Sequence, residues 1–439
     1  MPQYDEEMNR RREKREAMRK KREAEARRLR WTLILAALIL AGCVGGISAL
    51  VRGSGSGEET AAAPTRQTQP PTEETREAPA ALQNPITTIH IKAAGDLNIT
   101  DSVVKSGLTA TSYDFSSAFK DVTAILSDAD LTVMNFEGNI CGEPYGTETT
   151  SAPIEIVQGL RNAGVDLLQM ANSCAINNGL NGLSATLRAI RSCGIEPLGA
   201  YASAAEYQAS KGYTIVDIQG VRVAFVAFTK GLGGRGMPAG SENLVNLLYE
   251  DYDTTYQKTD KDRIETILSN VEAQRPDITV AMLHWGSEYN DDISKTQKNL
   301  VALLQKQGVD IILGTHPHTV QPIEFDRIGG TLVAYSLGDF FGDADRGGTN
   351  YSIILDIEIT KDSSTGTTKV TGYDYTPIYT VKPSETEGDY TYSRVMRIDK
   401  ALEASQGNFL DKITDACAAS MEKALVRIEE RLIMPKEED

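Results

Sequence analysis

The chain has 439 residues, of which 41% are hydrophobic and 24% are charged, so its composition excludes a fully disordered or collagen-like protein. Its net charge of −16 is divided unevenly. Residues 1–30 carry 12 Lys and Arg against 7 Asp and Glu, whereas residues 53–439 carry 32 against 54. Because this acidic body offers no strongly basic surface, we expect no nucleic-acid partner for it.

An uncharged segment separates the basic head from the acidic body. Trp31–Val51 has 21 residues and would span about 31 Å as a helix, which matches a hydrocarbon core of about 30 Å. The basic residues before it predict a cytoplasmic N-terminus. We therefore expect a single-pass anchor in the cell membrane with an extracellular main domain. The alternatives are a lipoprotein attached at Cys43, within the lipobox-like Leu40–Cys43, and a cleaved signal peptide.

Composition and pattern divide the chain into five parts. The segment after the anchor, at 52–85, is rich in Pro, Thr, Gln and Glu and has one large apolar residue, so we expect it to be a disordered stalk. Four cysteines follow it, and their disulfide pairing stays open. The expected parts are a basic cytoplasmic head at 1–30, a transmembrane anchor at 31–51, a disordered stalk at 52–85, an α/β domain at 86–380 and a C-terminal helical segment at 381–439.

From Ile86 to Thr380, short apolar runs alternate with helical patterns, which predicts a layered α/β domain. The predicted strands are Ile86–Ala94, Asp130–Met134, Val165–Met170, Val221–Phe228, Ile278–Leu283, Val309–Leu313 and Thr331–Tyr335. The predicted helices are Pro153–Ala163, Ser184–Cys193, Lys261–Gln274 and Thr296–Gln307. Ile353–Ile359 and Thr368–Tyr375 are predicted as antiparallel strands in an edge or second sheet.

Most predicted strands end in polar residues, at the edge where α/β sheets bind ligands. Asp96 and Glu137 follow two strands, His284 follows a third, and His316 and His318 flank a proline after a fourth. Imidazoles suit transition metals, and a carboxylate can bridge two cations. The sequence therefore predicts a mixed oxygen and nitrogen site for one or two divalent ions, either Mn, Zn or Fe.

Several stretches of this region resemble the CapA-type family of bacterial capsule and poly-γ-glutamate synthesis proteins, which is itself similar to the calcineurin-like metallophosphatases. In the family's order they are AAGDLNIT, VMNFEGNI, LLQMANSCAINNG, IEPLGA, MLHWGSEYN, DIILGTHPHTVQPIE and AYSLGDFF. The resemblance implies a layered α/β sandwich of the metallophosphatase type. It also implies metal binding by the five strand-end residues named above.

The remaining candidate residues surround these five. Glu288 is a candidate catalytic residue: by the resemblance it matches the Glu of the His-Trp-Gly block, where it is expected to orient a ligand or contact substrate. Gln321 matches the segment after the histidine pair and is expected to bind substrate, as is Asn172. Arg235, in the glycine-rich segment Gly231–Gly236, is a candidate for binding an anionic group of the substrate.

The chain departs from the family at two places. Where the family has Asn-Asn-His, this chain has Asn172-Ser173-Cys174, so a general-acid role of the histidine would fall to Cys174. Where the family has Ser-Leu-Gly-Asn, this chain has Asp339 in the last position. We expect Asp339 to bind substrate, or to replace a missing oxygen ligand, and it adds negative charge near the site.

Two functions of different classes follow. The first is a metal-dependent hydrolase or transferase in the synthesis of capsule or another exopolymer, either poly-γ-glutamate or polysaccharide. The second is a non-catalytic factor for envelope assembly or polymer binding, with a degenerate metal site. The expected partners are an envelope polymer or its synthase complex, together with the membrane through the N-terminal helix.

Overall fold

The computed structural model describes residues 85–388, 390–405 and 412–433. The predicted head, the predicted anchor Trp31–Val51 with Cys43, and all but the last residue of the predicted stalk lie outside these ranges. Within them, none of the helices combines the length and the apolar character needed to cross a bilayer. The described chain has a mixed α/β fold, as the alternation of strands and helices predicts.

The described residues form two β-sheets and the helices that pack against them. The strands are β1 (Ile86–Asn98), β2 (Leu131–Glu137), β3 (Leu167–Gln169), β4 (Glu196–Leu198), β5 (Thr214–Ile218), β6 (Val221–Thr229), β7 (Ile278–His284), β8 (Ile311–Thr315), β9 (Ile323–Asp326), β10 (Thr331–Ala334), β11 (Asp339–Phe341), β12 (Tyr351–Asp362), β13 (Thr367–Val381) and β14 (Arg394–Arg397). The helices are α1 (Asp101–Ser106), α2 (Ser116–Leu126), α3 (Glu155–Ala163), α4 (Gly179–Ser192), α5 (Ala204–Ser210), α6 (Lys261–Gln274), α7 (Lys295–Lys306), α8 (Ile398–Ser405) and α9 (Asp415–Leu432).

The first sheet has the strand order β14-β13-β12-β1-β2-β3-β4, and β11 pairs with the end of β1. β1 is parallel to β2 and β11 and antiparallel to β12. In this register Asp96 of β1 lies between Asn135 of β2 and Asp339 of β11. Three polar residues on neighbouring strands therefore share one edge of the sheet.

The second sheet has the order β5-β6-β7-β8-β10-β9. Its four central strands, β6, β7, β8 and β10, are parallel to one another, and β5 and β9 pair antiparallel at the two edges. His284 at the end of β7 is in register with Thr229 of β6 and Thr315 of β8. The carboxyl ends of these strands therefore form a second polar edge.

Alternating side chains of the second sheet face two different apolar cores. Val280 and Met282 of β7 belong to the core shared with the first sheet, whereas Leu283 belongs to a second core together with Leu268 of α6 and Leu304 of α7. A period of two residues places successive side chains on opposite faces of a strand. Because each fully buried aliphatic side chain contributes about 1.5–3 kcal/mol, burial of both faces fixes the position of this sheet.

The hairpin predicted at Ile353–Ile359 and Thr368–Tyr375 is present as β12 and β13, but its predicted place is wrong. β12 pairs with β1, and β13 pairs with β14, so both lie inside the first sheet rather than at its edge or in another sheet. The strand β14 was missed within the segment predicted as helical. Its four residues, Arg394–Arg397, are too few to show a clear alternation.

A capping box starts the helix that follows the β7 loop. The side chain of Ser294 accepts a hydrogen bond from the backbone of Gln297, whose side chain in turn bonds back to the backbone of Ser294. Such a reciprocal pair satisfies two amides that a helix start leaves free. Gln297 also donates to Gln321 over 3.0 Å, so the start of α7 is fastened to the loop that carries the histidine pair.

Candidate metal centre

The polar edges of the two sheets meet in one buried cluster. Asp96 at the end of β1 accepts a hydrogen bond of 3.0 Å from the backbone N–H of His316, which follows β8. Glu137 ends β2 and His284 ends β7, with 3.7 Å between Glu137 Oε1 and His284 Nδ1. The first sheet thus supplies carboxylates and the second supplies imidazoles.

Two groups of three residues each present metal-ligand atoms close to one another. The first donor group is Asp96, Glu137 and His284, and one ligand atom of each lies within 4.8 Å of the other two. The second donor group is Asp96, His318 and Asp339, which meet the same distance limit. All five residues are buried. Since Asp96 belongs to both groups, the two possible cation positions are adjacent.

A third group lies at the mouth of the cluster. Glu288, His316 and His318 also bring ligand atoms within 4.8 Å of one another. Glu288 is exposed, whereas both histidines are buried. Glu288 is therefore placed where solvent or a substrate can reach it, and its predicted role in orienting a ligand or contacting substrate stays a prediction.

The histidine pair occupies a strained turn rather than an extended strand. His316 and His318, on either side of Pro317, have φ angles of 92° and 60°. Residues other than glycine rarely adopt positive φ, and such strain costs about 1–3 kcal/mol and concentrates at functional sites. The hydrogen bond from His316 to Asp96 helps to hold this turn. The backbone is thus bent so that both rings stay beside the carboxylates.

The carboxylates of the cluster are held in surroundings that disfavour their charge. Burial, together with the neighbouring charge of Asp96, raises the pKa of Glu137 to about 8. Burial likewise raises the pKa of Asp96 to about 6, against the opposing effect of the His318 charge. Burial also raises the pKa of Asp339. Three buried acids at one point favour either protons or a cation.

The three imidazoles fall into two classes. Burial and the neighbouring positive charges lower the pKa of His284 and of His316 well below the usual range, so both rings are neutral and offer lone pairs. Burial also disfavours the charged form of His318, but the adjacent Asp339 carboxylate outweighs this effect and raises its pKa. Neutral imidazoles are the form that binds metals.

The donor set fits a divalent cation. His284 Nε2 and His316 Nδ1 are buried and have no hydrogen-bond partner among the described residues. Leaving a buried polar atom unpaired costs about 1–3 kcal/mol, and a bound cation removes this cost. Mixed imidazole and carboxylate donors suit Zn, Fe and Mn. The residues that the sequence predicts as ligands are therefore brought together in a suitable arrangement.

A residue at the centre of the cluster is not among those predicted from the sequence. Asn135 is fully buried, and its Nδ2 donates to Asp96 Oδ1 over 2.6 Å and to Glu137 Oε1 over 3.2 Å. Thr315, also buried, lies 3.2 Å from His284 Nδ1 through its hydroxyl. The period of two in a strand would have found Asn135, because it shares a face with Glu137.

Two residues predicted to bind substrate have their amides engaged elsewhere. Asn172 is buried and donates to the backbone oxygen of Phe136 over 2.7 Å, while its own side-chain oxygen accepts from the backbone of Cys174. Gln321 is buried and donates to the backbone oxygens of Asn290 and Asp292 over 2.8 and 3.2 Å. These contacts fix loops around the site, and substrate binding by either residue stays a prediction.

Cys174 lies beside the first donor group but carries no activated thiol. Its Sγ is 4.0 Å from Glu137 Oε2, and Ser173 donates to the same oxygen over 3.0 Å. Burial and the Glu137 charge raise the pKa of the thiol to about 12, although the charge of Arg235 acts in the opposite direction. A thiol that stays protonated is a weak nucleophile, and a group with this pKa is a poor general acid at neutral pH.

The structure defines a mixed α/β domain with a candidate divalent-metal site at its strand ends. The family model described as "Bacterial capsule synthesis protein PGA_cap" matches residues 90–344, which is more than half of the chain. The chain belongs to this family, and the resemblance to CapA-type proteins is confirmed. The matched range contains every residue of the two donor groups.

The similar proteins carry related descriptions. The PGA biosynthesis protein CapA of Bacillus subtilis (strain 168) is 29% identical over 266 residues, covering 59% of this chain and 65% of that protein. The capsule biosynthesis protein CapA of Bacillus anthracis is 27% identical over 238 residues, covering 53% and 55% respectively. This chain thus spans less than two thirds of the length of either relative. Among solved structures, the calcineurin-like phosphoesterase YfkN from Bacillus subtilis has a TM-score of 0.41 and 16% identity, over 67% of this chain and 91% of that chain.

Proposed function

We propose that this protein is a metal-dependent hydrolase or transferase that acts in the synthesis of capsule or another exopolymer. The observation that carries the proposal is the buried cluster of carboxylates and imidazoles, in which His284 Nε2 and His316 Nδ1 have no hydrogen-bond partner in the part of the chain that the structure describes. The proposal includes that this cluster is similar to the metal site of a metallophosphatase. The residues that would hold the metal are Asp96, Glu137, His284, His316 and His318.

The chain's own residues provide the surroundings for the reaction. A bound divalent cation supplies Lewis-acid chemistry, which polarises a phosphoryl or carbonyl oxygen. Asn135 orients Asp96 and Glu137, and Thr315 orients His284. Such supporting contacts typically change metal affinity or activity by about 10–100-fold. Glu288, at the exposed mouth, contacts the substrate or orients it.

Positive charges around the mouth support an anionic group on the substrate, despite the acidic body. Lys230 donates to the backbone oxygen of Gly286 over 2.7 Å. Its positive charge is one cause of the lowered pKa of His316. The Arg346 guanidinium lies 4.0 Å from the centre of the Tyr289 ring, which stacks on His318 at 5.4 Å. A local basic rim of this kind attracts anions even where the net charge is negative.

The proposal extends to the location and partners of the protein. The apolar segment Trp31–Val51 after a basic head supports attachment to the cell membrane with the N-terminus in the cytoplasm. The α/β domain then works outside the cell, on an envelope polymer or beside its synthase complex. Attachment through a lipid on Cys43 is the alternative, and the intact mass of membrane-extracted protein distinguishes the two.

Metal analysis of the purified full chain tests the metal centre. We expect bound Mn, Zn or Fe in the natural protein, and a loss of at least about 10-fold in metal affinity in His316→Ala and in His318→Ala. The control is His90→Ala, because His90 lies on β1 outside the cluster, where its Nδ1 contacts Asp356 over 2.9 Å. A natural protein without transition metal, or equal metal content in all variants, contradicts the proposal.

A second candidate function is a non-catalytic factor for envelope assembly or polymer binding. The observation that favours it is the environment of Cys174, whose raised pKa leaves the position without a proton donor suited to neutral pH. In this function the cluster binds a polymer or a partner protein without turning it over. The predicted anchor Trp31–Val51 then holds the protein and its bound partner at the membrane.

The double variant Ser173→Asn, Cys174→His tests this second function. If the natural chain lacks only a general acid, the variant should hydrolyse diphenyl phosphate, whose phenolate is a poor leaving group that benefits from protonation, at least about 10²-fold faster than the natural chain with Mn²⁺. Ser173→Asn alone is the matched control, because it leaves the thiol in place. Fast turnover by the natural chain counts against the assembly function, and a gain confined to the double variant supports it.

A further inference from the structure

The C-terminal helix α9 ends beside the mouth of the metal centre. Its buried residues recur every three or four positions, and they are Cys417, Met421, Ala424, Ile428 and Leu432. Such spacing defines one face of a helix, which here packs against the core. Arg431 lies in the last turn, at the margin of this face, and its side chain is 22% exposed. The packing of α9 therefore fixes where the Arg431 guanidinium lies.

Arg431 contacts the loop between β7 and α7, which carries Glu288. Its Nη2 donates to a carboxylate oxygen of Asp291. Two residues before Asp291, the backbone N–H of Tyr289 donates to the Pro317 carbonyl over 2.8 Å. The loop is thus fastened to α9 at Asp291 and to the histidine turn at Tyr289.

The loop between β11 and β12, which carries Arg346, lies against the same guanidinium. A side chain at Gly348, whose φ is 94°, would come within 3.2 Å of both Arg431 Nη1 and Thr319 Cγ2. Gly348 therefore lies between α9 and the segment that follows the histidine pair. The next residue, Thr349, donates from its hydroxyl to the Arg346 carbonyl over 2.9 Å. The backbone of Arg346 is thus held by a turn that contacts Arg431.

Two further features concern the Arg431 guanidinium at this junction. Its Cζ lies 5.7 Å from the centre of the ring of Tyr351, the first residue of β12, within the range of a cation–π contact. Its Nη1 is buried and has no hydrogen-bond partner in the described part of the chain. A buried donor without a partner is unfavourable, so something other than hydrogen bonding sets its position. The contacts with Asp291, Tyr351 and the Gly348 turn supply that explanation.

We propose that Arg431 is a positioning residue that holds the two mouth loops, 285–294 and 342–350, and so places Glu288 and Arg346 beside the metal centre. The assignment rests on the proposed metal-dependent function. Arg431 lies beyond the range that matches the family, so this support of the mouth comes from the C-terminal segment. A partly exposed ion pair contributes little to the free energy of unfolding. The effect of Arg431 is therefore expected on the loops and on substrate binding.

Amide hydrogen exchange of the full chain, followed by mass spectrometry, tests whether Arg431 holds the loops. Arg431→Ala should speed exchange of segments 286–292 and 343–350 at least about 10-fold and leave β6 and β7 unchanged, because lost contacts favour local opening. Arg431→Lys keeps the charge and should restore part of the protection. In segment 286–292, Asp291→Ala should have the effect of Arg431→Ala, and the double variant should add little, since both act through one contact. The control is Arg427→Ala, exposed one turn earlier on α9, which should change neither segment.

Hydrolysis of diphenyl phosphate with Mn²⁺ tests the effect on the substrate. Arg431→Ala should raise KM at least about 10-fold and change kcat less than about 2-fold, because it weakens binding at the mouth and leaves the metal ligands untouched. The affinity for Mn²⁺, measured by calorimetry, should stay within about 2-fold for the same reason. Arg427→Ala should keep the natural KM, and Arg431→Lys should lie between the two.

Three results overturn the role of Arg431. The first is unchanged exchange of both segments in Arg431→Ala. The second is faster exchange with an unchanged KM, which would show that the loops do not place residues that bind substrate. The third is a loss of Mn²⁺ affinity as large as the rise in KM, which would show a general disturbance of the site. Absence of hydrolysis by the natural protein contradicts the hydrolase function alone, because the exchange experiment needs no turnover and still decides whether Arg431 holds the loops.

Discussion

Asp96→Asn should remove all stabilisation of the folded protein by divalent metal. With free Mn²⁺ at 100 times its Kd, each ion that binds should raise the free energy of unfolding of the natural protein by about 2.7 kcal/mol. The variant should show no rise, because Asp96 is common to both donor groups and an amide is a weak substitute for its charge. Chemical denaturation with and without MnCl₂ measures the difference.

The metal-free form of this variant should be close to the natural protein in stability. The substitution weakens the hydrogen bond from Asn135, but it also removes the charge that raises the pKa of Glu137. The matched control is Asp374→Asn, an exposed aspartate on β13, which should keep the full effect of Mn²⁺. An equal response to Mn²⁺ in Asp96→Asn and in the control would show that the metal binds elsewhere.

Trp285→Ala should lower the free energy of unfolding by about 3–5 kcal/mol, the usual loss for a large buried aromatic residue. Trp285 is 0% exposed, stacks on Tyr335 with the ring centres 5.9 Å apart, and donates from Nε1 to the Tyr335 carbonyl over 2.9 Å. It directly follows His284, so it also anchors the end of β7. Denaturation of the chelator-treated chain gives the value.

Trp285→Phe separates the two contributions of this side chain. Phenylalanine retains most of the ring contact and loses the hydrogen bond, for which about 0.5–1.5 kcal/mol is the usual net value. The loss should therefore be well below that of the alanine variant. If both variants lose the same free energy of unfolding, the hydrogen bond of Trp285 stabilises the protein and its packing in the core does not.

The metal-ligand candidates were predictable because strand ends are a general location of polar sites. Asp96, Glu137 and His284 each follow an apolar run, so the edge rule for α/β sheets was enough to group them. Asn135 was missed because a single asparagine carries no chemical signal unless the face it shares with Glu137 is considered. Asp339 was placed near the site, but its role depends on the register with Asp96, which is not visible along the chain.

The division into two sheets was harder to predict than the strands themselves. The strand β7 was predicted within one residue of its observed bounds, Ile278–His284. The apolar run of β7 indicates that both of its faces are buried, but it does not indicate which other strands and helices cover them. The pairing of β12 with β1 joins residues more than 250 positions apart, and the short strand β14 adds to the same sheet. Such long-range pairing is set by the whole core rather than by local pattern.

Anomalous diffraction from crystals of the natural protein soaked in MnCl₂ tests the central claim most directly. We expect one anomalous peak bounded by Asp96, Glu137 and His284, and a second bounded by Asp96, His318 and Asp339. An ordered cluster with no anomalous peak in contact with Asp96 would contradict the account, since the carboxylates and imidazoles would then be held together without a metal.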